Sequence, residues 1–331
     1  MGRIQFIHSY EDIISLENLL CAWKEFVRCK KCRTDVSDFK RQLFSNIYEL
    51  HVDLRGKNYR HGKYHAFKIH DPKERDIHKA SVRDRLLHHA IYRRLYPFFD
   101  RTFISDSFSC RDEKGTHRGF YQFCDFANRA SQGFTKTVWV LKCDVRKFFA
   151  SIDQTILAEI IGQYISDKEI MQLLKEIIGS FHSKKEGIGL PLGNLTSQLF
   201  VNIYMNEFDQ FVKHKLKAKY YIRYADDFVI LNTDRALLKS ILVKIDKFLQ
   251  ARLHLSLHPN KVSIKTFASG VDFLGWVHFP DHRVLRTTTK DRMFKRLAEN
   301  PKEGTAASYL GMLSHGTAYK LTQVVKTISI S

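Results

Sequence analysis

The stretch Tyr220-Tyr-Ile-Arg-Tyr-Ala-Asp-Asp-Phe-Val-Ile-Leu231 decides how this chain is read. Two short apolar or aromatic runs, Tyr220 to Tyr224 and Phe228 to Leu231, flank Ala225-Asp226-Asp227, which is the pattern of a tight β-hairpin. Asp226 and Asp227 are then expected at the hairpin tip. Adjacent carboxylates between apolar strands are costly unless a cation or solvent satisfies them. Taken alone, two acids there also fit an ordinary solvated turn.

Upstream, Val138-Trp-Val-Leu-Lys-Cys-Asp144 predicts a buried strand that ends on a carboxylate. Asp153 is the expected N-cap of the next helix. Ser166-x-x-Glu169 reads as a capping box for a helix carrying Ile170, Leu173, Leu174, Ile177 and Ile178, with Gly179 as its stop. Leu199, Phe200, Ile203, Tyr204, Phe208, Phe211 and Val212 define a second helix, and Leu237 to Leu249 a third. Val262–Phe267 and Val271–Phe279 read as strands. Residues 10–50 read as helices, 51–70 as strands and loops, and 80–100 as a helix ending near Pro97. The order is that of an α+β fold with an antiparallel sheet.

If the strand ending at Asp144 lies beside the hairpin, Asp144 and Asp226 converge. Oxygen ligands without His or Cys favour Mg²⁺ over zinc. Two such ions roughly 3.5–4 Å apart are the arrangement used for in-line nucleotidyl transfer.

Composition points the same way. The 331 residues hold 54 Lys+Arg against 35 Asp+Glu, a formal charge of +19, and hydrophobic residues at 44% exclude a disordered tail. From Arg55 to Arg101 there are 13 Lys/Arg against 5 Asp/Glu, and from Asp281 to Lys326 there are 9 against 4. Two basic segments around a more balanced middle suit a cleft that grips a phosphate backbone. No run of 18 apolar residues predicts a membrane span, and the N-terminus does not read as a signal peptide. Six Cys are not a disulfide framework, so a reducing, cytoplasmic compartment is expected. Cys29-x-x-Cys32 is a lone pair and a weak zinc signal.

Together these motifs resemble the reverse transcriptases. The hairpin is similar to their catalytic hairpin, Asp144-x-x-x-Phe148-Phe149 to their first catalytic motif, and Gly189-Leu-Pro-Leu-Gly-Asn-Leu-Thr-Ser-Gln198 to the loop beside the incoming nucleotide. Phe273-Leu-Gly-Trp276 resembles the primer grip. The likeness covers residues 55–280 in order and implies a right-hand polymerase fold. Its expected parts are an N-terminal helical extension (1–50), fingers (51–135), a palm with an antiparallel sheet (136–280, including fingers-palm helices over 153–215) and a short helical thumb (281–331). Leu192-Gly-x-x-x-Ser-Gln198 replaces the Gln-Gly-x-x-x-Ser-Pro of retron and intron enzymes. That form is similar to the reverse transcriptases of diversity-generating retroelements, as are Arg101–Arg111 and Ser308–Gly316. Members of that group copy a template RNA with errors at adenines, typically with a small basic accessory protein.

The resemblance implies roles. Asp144, Val145, Asp226 and Asp227 form the metal set, with two Mg²⁺ ions. Phe149 would exclude a 2′-hydroxyl, Lys73 or Arg75 would reach the triphosphate, and Leu192, Gly193 and Gln198 would line the dNTP site. Lys261 has two open roles: general acid toward pyrophosphate, or holder of a template phosphate. Tyr224, Phe273, Gly275, Trp276, Arg283, Arg286, Lys290, Arg292, Lys295 and Arg296 are the expected contacts to template RNA and the cDNA/RNA duplex. No RNase H domain is expected in the roughly 50 residues after the palm, and no endonuclease domain is expected after the thumb. The competing readings are a retron-like or intron-like enzyme of ordinary fidelity, and a non-catalytic RNA-binding scaffold.

Overall fold

The computed structural model describes residues 3–70, 74–300 and 303–330. Along the chain the elements are α1 (Tyr10–Ile14), α2 (Leu16–Phe26), α3 (Thr34–Arg41), α4 (Leu43–Arg55), β1 (His65–Ile69), β2 (Arg75–Lys79), α5 (Val82–Asp100) and α6 (Thr116–Ala130). There follow β3 (Trp139–Asp144), α7 (Phe148–Ser151), α8 (Gln154–Gly162), α9 (Lys168–Gly179), α10 (Leu195–Gln210), β4 (Tyr220–Tyr224), β5 (Asp227–Asn232) and α11 (Arg235–Leu253). The chain continues through β6 (Ser263–Thr266), β7 (Val271–Phe273), β8 (Trp276–His278), β9 (Arg283–Leu285), α12 (Thr287–Glu299), α13 (Glu303–Leu313) and α14 (Tyr319–Ile330). They fall into two compact units, one of Met1–Ile104, Val145–Phe211 and Lys247–Ser256, the other of Ser105–Asp144, Val212–Asp246 and Leu257–Ser331.

The first unit is mainly helical. Ser15 caps α2 by accepting from the Asn18 amide, and α2 then buries Leu19, Ala22, Trp23 and Phe26 at helical spacing. α2 and α10 both pack on α5. The helical spacing of buried Ile47, Leu50 and Leu54 carries α4 through Arg55, into the stretch read as strands and loops. α5 runs past Pro97 to Asp100. Proline removes one donor there, but Phe98 and Phe99 beyond it are buried and hold the last turn. Asp153 caps α8 as expected, accepting from the Thr155 and Ile156 amides. Asp167, and not Ser166, caps α9, because its carboxylate accepts from both the Glu169 and Ile170 amides. Gly179 is the last helical residue rather than the stop, and Ser180 follows as the C-cap. β1 and β2 form an antiparallel pair, from His65 opposite Lys79 to Ile69 opposite Arg75.

The second unit is built on an antiparallel sheet of order β4-β5-β3-β6. Its core joins Phe123, Phe126 and Ala127 of α6 to Val140, Ile222, Val229, Leu231, Phe267 and Phe273. Burying rings of this size is worth about 1.5–3 kcal/mol each. The run Val271–Phe279, read as one strand, turns at Leu274 and Gly275 (φ 52° and 89°) into β7 and β8, which β9 completes as a second sheet. Trp276, Leu285, Met293, Leu297, Leu313 and Val325 form a further core with Phe120. Among the described residues no helix is long and apolar enough to cross a membrane.

Candidate active site

Backbone pairing builds the acidic centre. β3 and β5 run antiparallel from Trp139 opposite Asn232 to Asp144 opposite Asp227. β4 and β5 close on Tyr224 opposite Asp227, so only Ala225 and Asp226 form the turn. Asp227 is therefore not at the tip: it is the first residue of β5. The short turn places Ala225 in the left-handed region, φ 55°, which costs an L-residue about 1–2 kcal/mol. The guanidinium of Arg223, a buried residue of β4, donates to the Ala225 carbonyl at 3.1 Å and braces this turn.

The three acids differ in surroundings. The Asp227 side chain is 23% exposed, yet its Oδ1 is buried and has no hydrogen-bond partner among the described residues. Burial pushes its carboxyl up to about 7; Lys142 opposes the rise, and Asp144, Asp226 and Asp272 add to it. Lys142 Nζ lies 3.7 Å from Asp227 Oδ2 and donates to the Asp272 carbonyl at 2.6 Å. Lys261 Nζ sits 2.8 Å from each Asp144 carboxylate oxygen. The His258 amide donates to the Asp144 carbonyl at 2.7 Å, which fixes the turn that carries Lys261. Asp226 is half-buried on the turn. Burial, reinforced by Asp227 and Asp144, drives the Cys143 thiol far above its ordinary range, so it does not act as a thiolate.

These groups fit a divalent cation. An orphaned buried carboxylate oxygen and mutually repelling acids are relieved by a positive ion. Among the described residues no three or more His, Cys, Asp or Glu are grouped so that they could hold a metal ion by themselves. Mg²⁺ does not need such a group, since it is commonly held by one or two carboxylates with water and phosphate oxygens. Val145 has a buried apolar side chain, so only its main-chain carbonyl is chemically able to serve as a ligand.

In the first unit, backbone bonds bring Phe149, Leu192 and Gly193 beside β2. The Leu190 amide donates to the Phe149 carbonyl at 2.8 Å, and the His78 amide to the Leu192 carbonyl at 3.0 Å. Asn194 Nδ2 donates to the His78 carbonyl at 2.8 Å. The loop Gly189–Asn194 is thus pinned to α7, which bears Phe149, and to β2, which begins at Arg75. Gly193 has φ 107°, and a Cβ there would lie 2.9 Å from Ile77 Cγ2, so both backbone and space demand glycine. Phe148 is buried and Phe149 half-buried. Gln198 is half-buried on α10. Arg75 is exposed. Lys73 lies outside the described residues.

Several expected nucleic-acid contacts are placed otherwise. Phe273 (0% exposed) and Trp276 (3%) lie in the two cores of the second unit, where apolar burial shields their rings from solvent. Arg283 packs over the Phe120 and Tyr121 rings and donates to the His315 carbonyl. Arg286 is engaged by Asp272, its Nε 2.7 Å from Oδ1, while its amide donates to the Gly275 carbonyl. The charges of Arg283 and Arg286 thus serve internal contacts. Tyr224 is half-buried, its hydroxyl 3.1 Å from Thr116 Oγ1. Lys290 and Arg292 are half-buried on α12, and Lys295 and Arg296 exposed. Sequence reasoning missed Lys142, Arg223 and Asp272. A single cation two residues before Asp144, on the same strand face, was a usable signal for Lys142. Arg223 stood out equally, as a cation inside an aromatic run.

Comparison with known proteins agrees with this geometry. Residues 69–278 match the family model described as reverse transcriptase (RNA-dependent DNA polymerase). The chain is 25% identical to protein YkfC of Escherichia coli strain K12 over 285 residues, covering 72% of this chain and 71% of that one. It is 25% identical to the group II intron-encoded protein LtrA of Lactococcus lactis over 158 residues, 46% of this chain and 25% of LtrA. A truncated apo telomerase from Candida tropicalis shares the fold with a TM-score of 0.50 at 15% identity, over 68% of this chain and 55% of that one. The match to the family model spans well over half of the sequence, and the chain belongs to the reverse transcriptase family of RNA-dependent DNA polymerases.

Proposed function

We propose that this chain copies a template RNA into cDNA as the error-prone polymerase of a diversity-generating retroelement. The observation that carries the polymerase reading is the β3–β5 register, which sets Asp144 opposite Asp227 with Asp226 on the adjoining turn. Residues 1–50 are then an N-terminal extension, 51–135 fingers, 136–280 palm and 281–331 thumb. The setting is the cytoplasm of a bacterial, archaeal or phage-infected cell.

In this reading Asp144, Asp226 and Asp227, with the Val145 carbonyl, hold two Mg²⁺ ions. Bound Mg²⁺ supplies charge neutralisation and a lowered pKa at the attacking 3′-hydroxyl. Lys142 favours the ionised form of Asp227, the form able to bind a cation. Arg75 holds triphosphate oxygens, and the Phe149 ring rejects a 2′-hydroxyl. Leu192 offers no hydrogen bond to the nascent base pair, and strong selectivity needs polar groups that a wrong partner leaves unpaired. Low fidelity follows from that side chain. The position of Lys261 Nζ on Asp144 favours the general-acid role, because it keeps the ammonium at the acidic centre. A small basic accessory protein is the expected partner besides template RNA and dNTPs.

Similarity to a group II intron-encoded protein favours a second reading, a polymerase of ordinary fidelity. Primer extension on an RNA template with sequenced products separates the two. The proposal expects extension that Asp226→Ala abolishes, errors concentrated at template adenines, and fewer of them with Leu192→Gln. Uniform low error rejects the retroelement reading, and extension that survives Asp226→Ala rejects the catalytic one.

A further inference from the structure

We propose a second nucleotide-binding site: a cavity of about 670 Å³ between the loop 105–114 and α6, which takes one nucleobase with its phosphate. The volume lies within the range of small-ligand pockets, roughly 300–1,000 Å³. Three rings, Phe108, Tyr121 and Phe126, line it together with Lys114, Arg118 and Gln122. Two acids also line it, but each is held by a cation that does not. Lys213 Nζ lies 2.8 Å from Asp106 Oδ2, and Arg129 Nε lies 3.0 Å from Asp125 Oδ1.

The cations that face the cavity are available. Arg118 and the Gln122 amide have no partner among the described residues. Lys114 Nζ donates to the Ser105 carbonyl at 2.9 Å and keeps further donors. Tyr121 is 46% exposed, and its hydroxyl, 3.0 Å from His315 Nδ1, holds the ring in place. A fixed aromatic ring, an amide able to donate and accept, and a free guanidinium match a base face, a base edge and a phosphate respectively.

The cavity is separate from the acidic centre yet tied to it. The Arg223 amide donates to the Asp106 carbonyl and the Phe108 amide to the Arg223 carbonyl, so the loop extends the sheet beyond β4. Asp144 lies on β3, two strands further in. Three strand spacings put the loop about 14 Å from β3. Thr116 at the start of α6 meets Tyr224 of the catalytic hairpin. A nucleotide of a single strand and a free mononucleotide present the same chemistry here.

Photocross-linking of the full chain tests this, using a short single-stranded RNA containing thiouridine and, separately, thio-UMP, with adducts mapped by mass spectrometry. The expected result is an adduct on the α6 segment bearing Tyr121 and Phe126. RNA alone giving it identifies a strand as the ligand, and thio-UMP giving it equally identifies a free nucleotide. Arg118→Ala, which breaks no hydrogen bond or ion pair among the described residues, should reduce the adduct and lower the salt slope of RNA binding by about 0.7. Tyr121→Leu should weaken binding at this site about 5- to 100-fold. Should Tyr121→Leu fail to fold, Gln122→Ala replaces it, with the same direction expected. Adducts confined to other segments, or α6 adducts unchanged in Arg118→Ala and Gln122→Ala, overturn the proposal. The readout is binding at one place, so it stands apart from the outcome of primer extension.

Discussion

Asp227→Asn should stabilise the metal-free protein at mildly alkaline pH and leave it unchanged near pH 4. In the folded chain burial, with Asp144 and Asp226 adding to it, lifts the Asp227 carboxyl from 3.8 to about 7, against the pull of Lys142. At about 1.4 kcal/mol per tenfold in proton affinity, that rise is a penalty of about 4 kcal/mol on the ionised form. The sign follows from proton counting. Between about pH 4 and pH 7 the folded chain binds more protons than the unfolded one, so stability falls as pH rises, and above that it stays low. Asparagine resembles the neutral acid in shape, so the two proteins match at the acid end. At pH 8 the variant escapes the penalty but leaves Lys142 without its carboxylate partner at 3.7 Å, which trims the gain to about 1–3 kcal/mol. For a chain of this length that is roughly 1–4 °C in Tm. Thermal unfolding of both proteins in EDTA from pH 4 to pH 8 measures it. An equal difference at both ends, or a less stable variant at pH 8, refutes the argument that a buried, repelled carboxylate stores this energy.

The other expectations concern the same residues. Asp144→Ala and Asp226→Ala should each lower primer extension about a thousandfold or more, as expected for loss of several kcal/mol of cation-borne stabilisation; residual rates within tenfold of the parent would refute their assignment. Phe149→Ala should raise rNTP incorporation relative to dNTP by about 10- to 100-fold in competition assays, with little change in Tm. Lys261→Arg keeps the pairing with Asp144 but replaces a proton-donating ammonium by a guanidinium that does not give up its proton, so kcat in primer extension should fall about 100-fold; an unchanged rate means that only the charge matters. Ala225→Gly should raise Tm through about 0.5–1 kcal/mol of relieved backbone strain, and a lower Tm would show that the turn is not strained.

The parts of this molecule legible in its sequence are those whose cause is local. Apolar alternation and runs set β3, β4 and β5, and helical spacing set α9 and α11, because each element is written in its own side chains. Convergence of Asp144 with the hairpin acids was legible too, since two strands that end on carboxylates need only be neighbours. The identity of the buried acid was not. Two acids in a row look alike until strand register assigns one to the turn and the next to a paired position, and register belongs to both strands together. Phe273 and Trp276 show the same limit: exposed aromatic platforms and core aromatics have one sequence signature. What buries these two is Phe123 for one and Phe120 with Met293 and Leu313 for the other, residues far away in the chain. Lys261 carries the point into chemistry. Its partner Asp144 is 117 residues away, and the His258 amide on the Asp144 carbonyl, together with the pairing of β6 on β3 from Ser263 opposite Lys142, brings the turn close enough for contact. A lysine's role depends on which anion it meets, and no local pattern contains that anion, which is why the sequence alone left Lys261 with two roles while its position on Asp144 favours one.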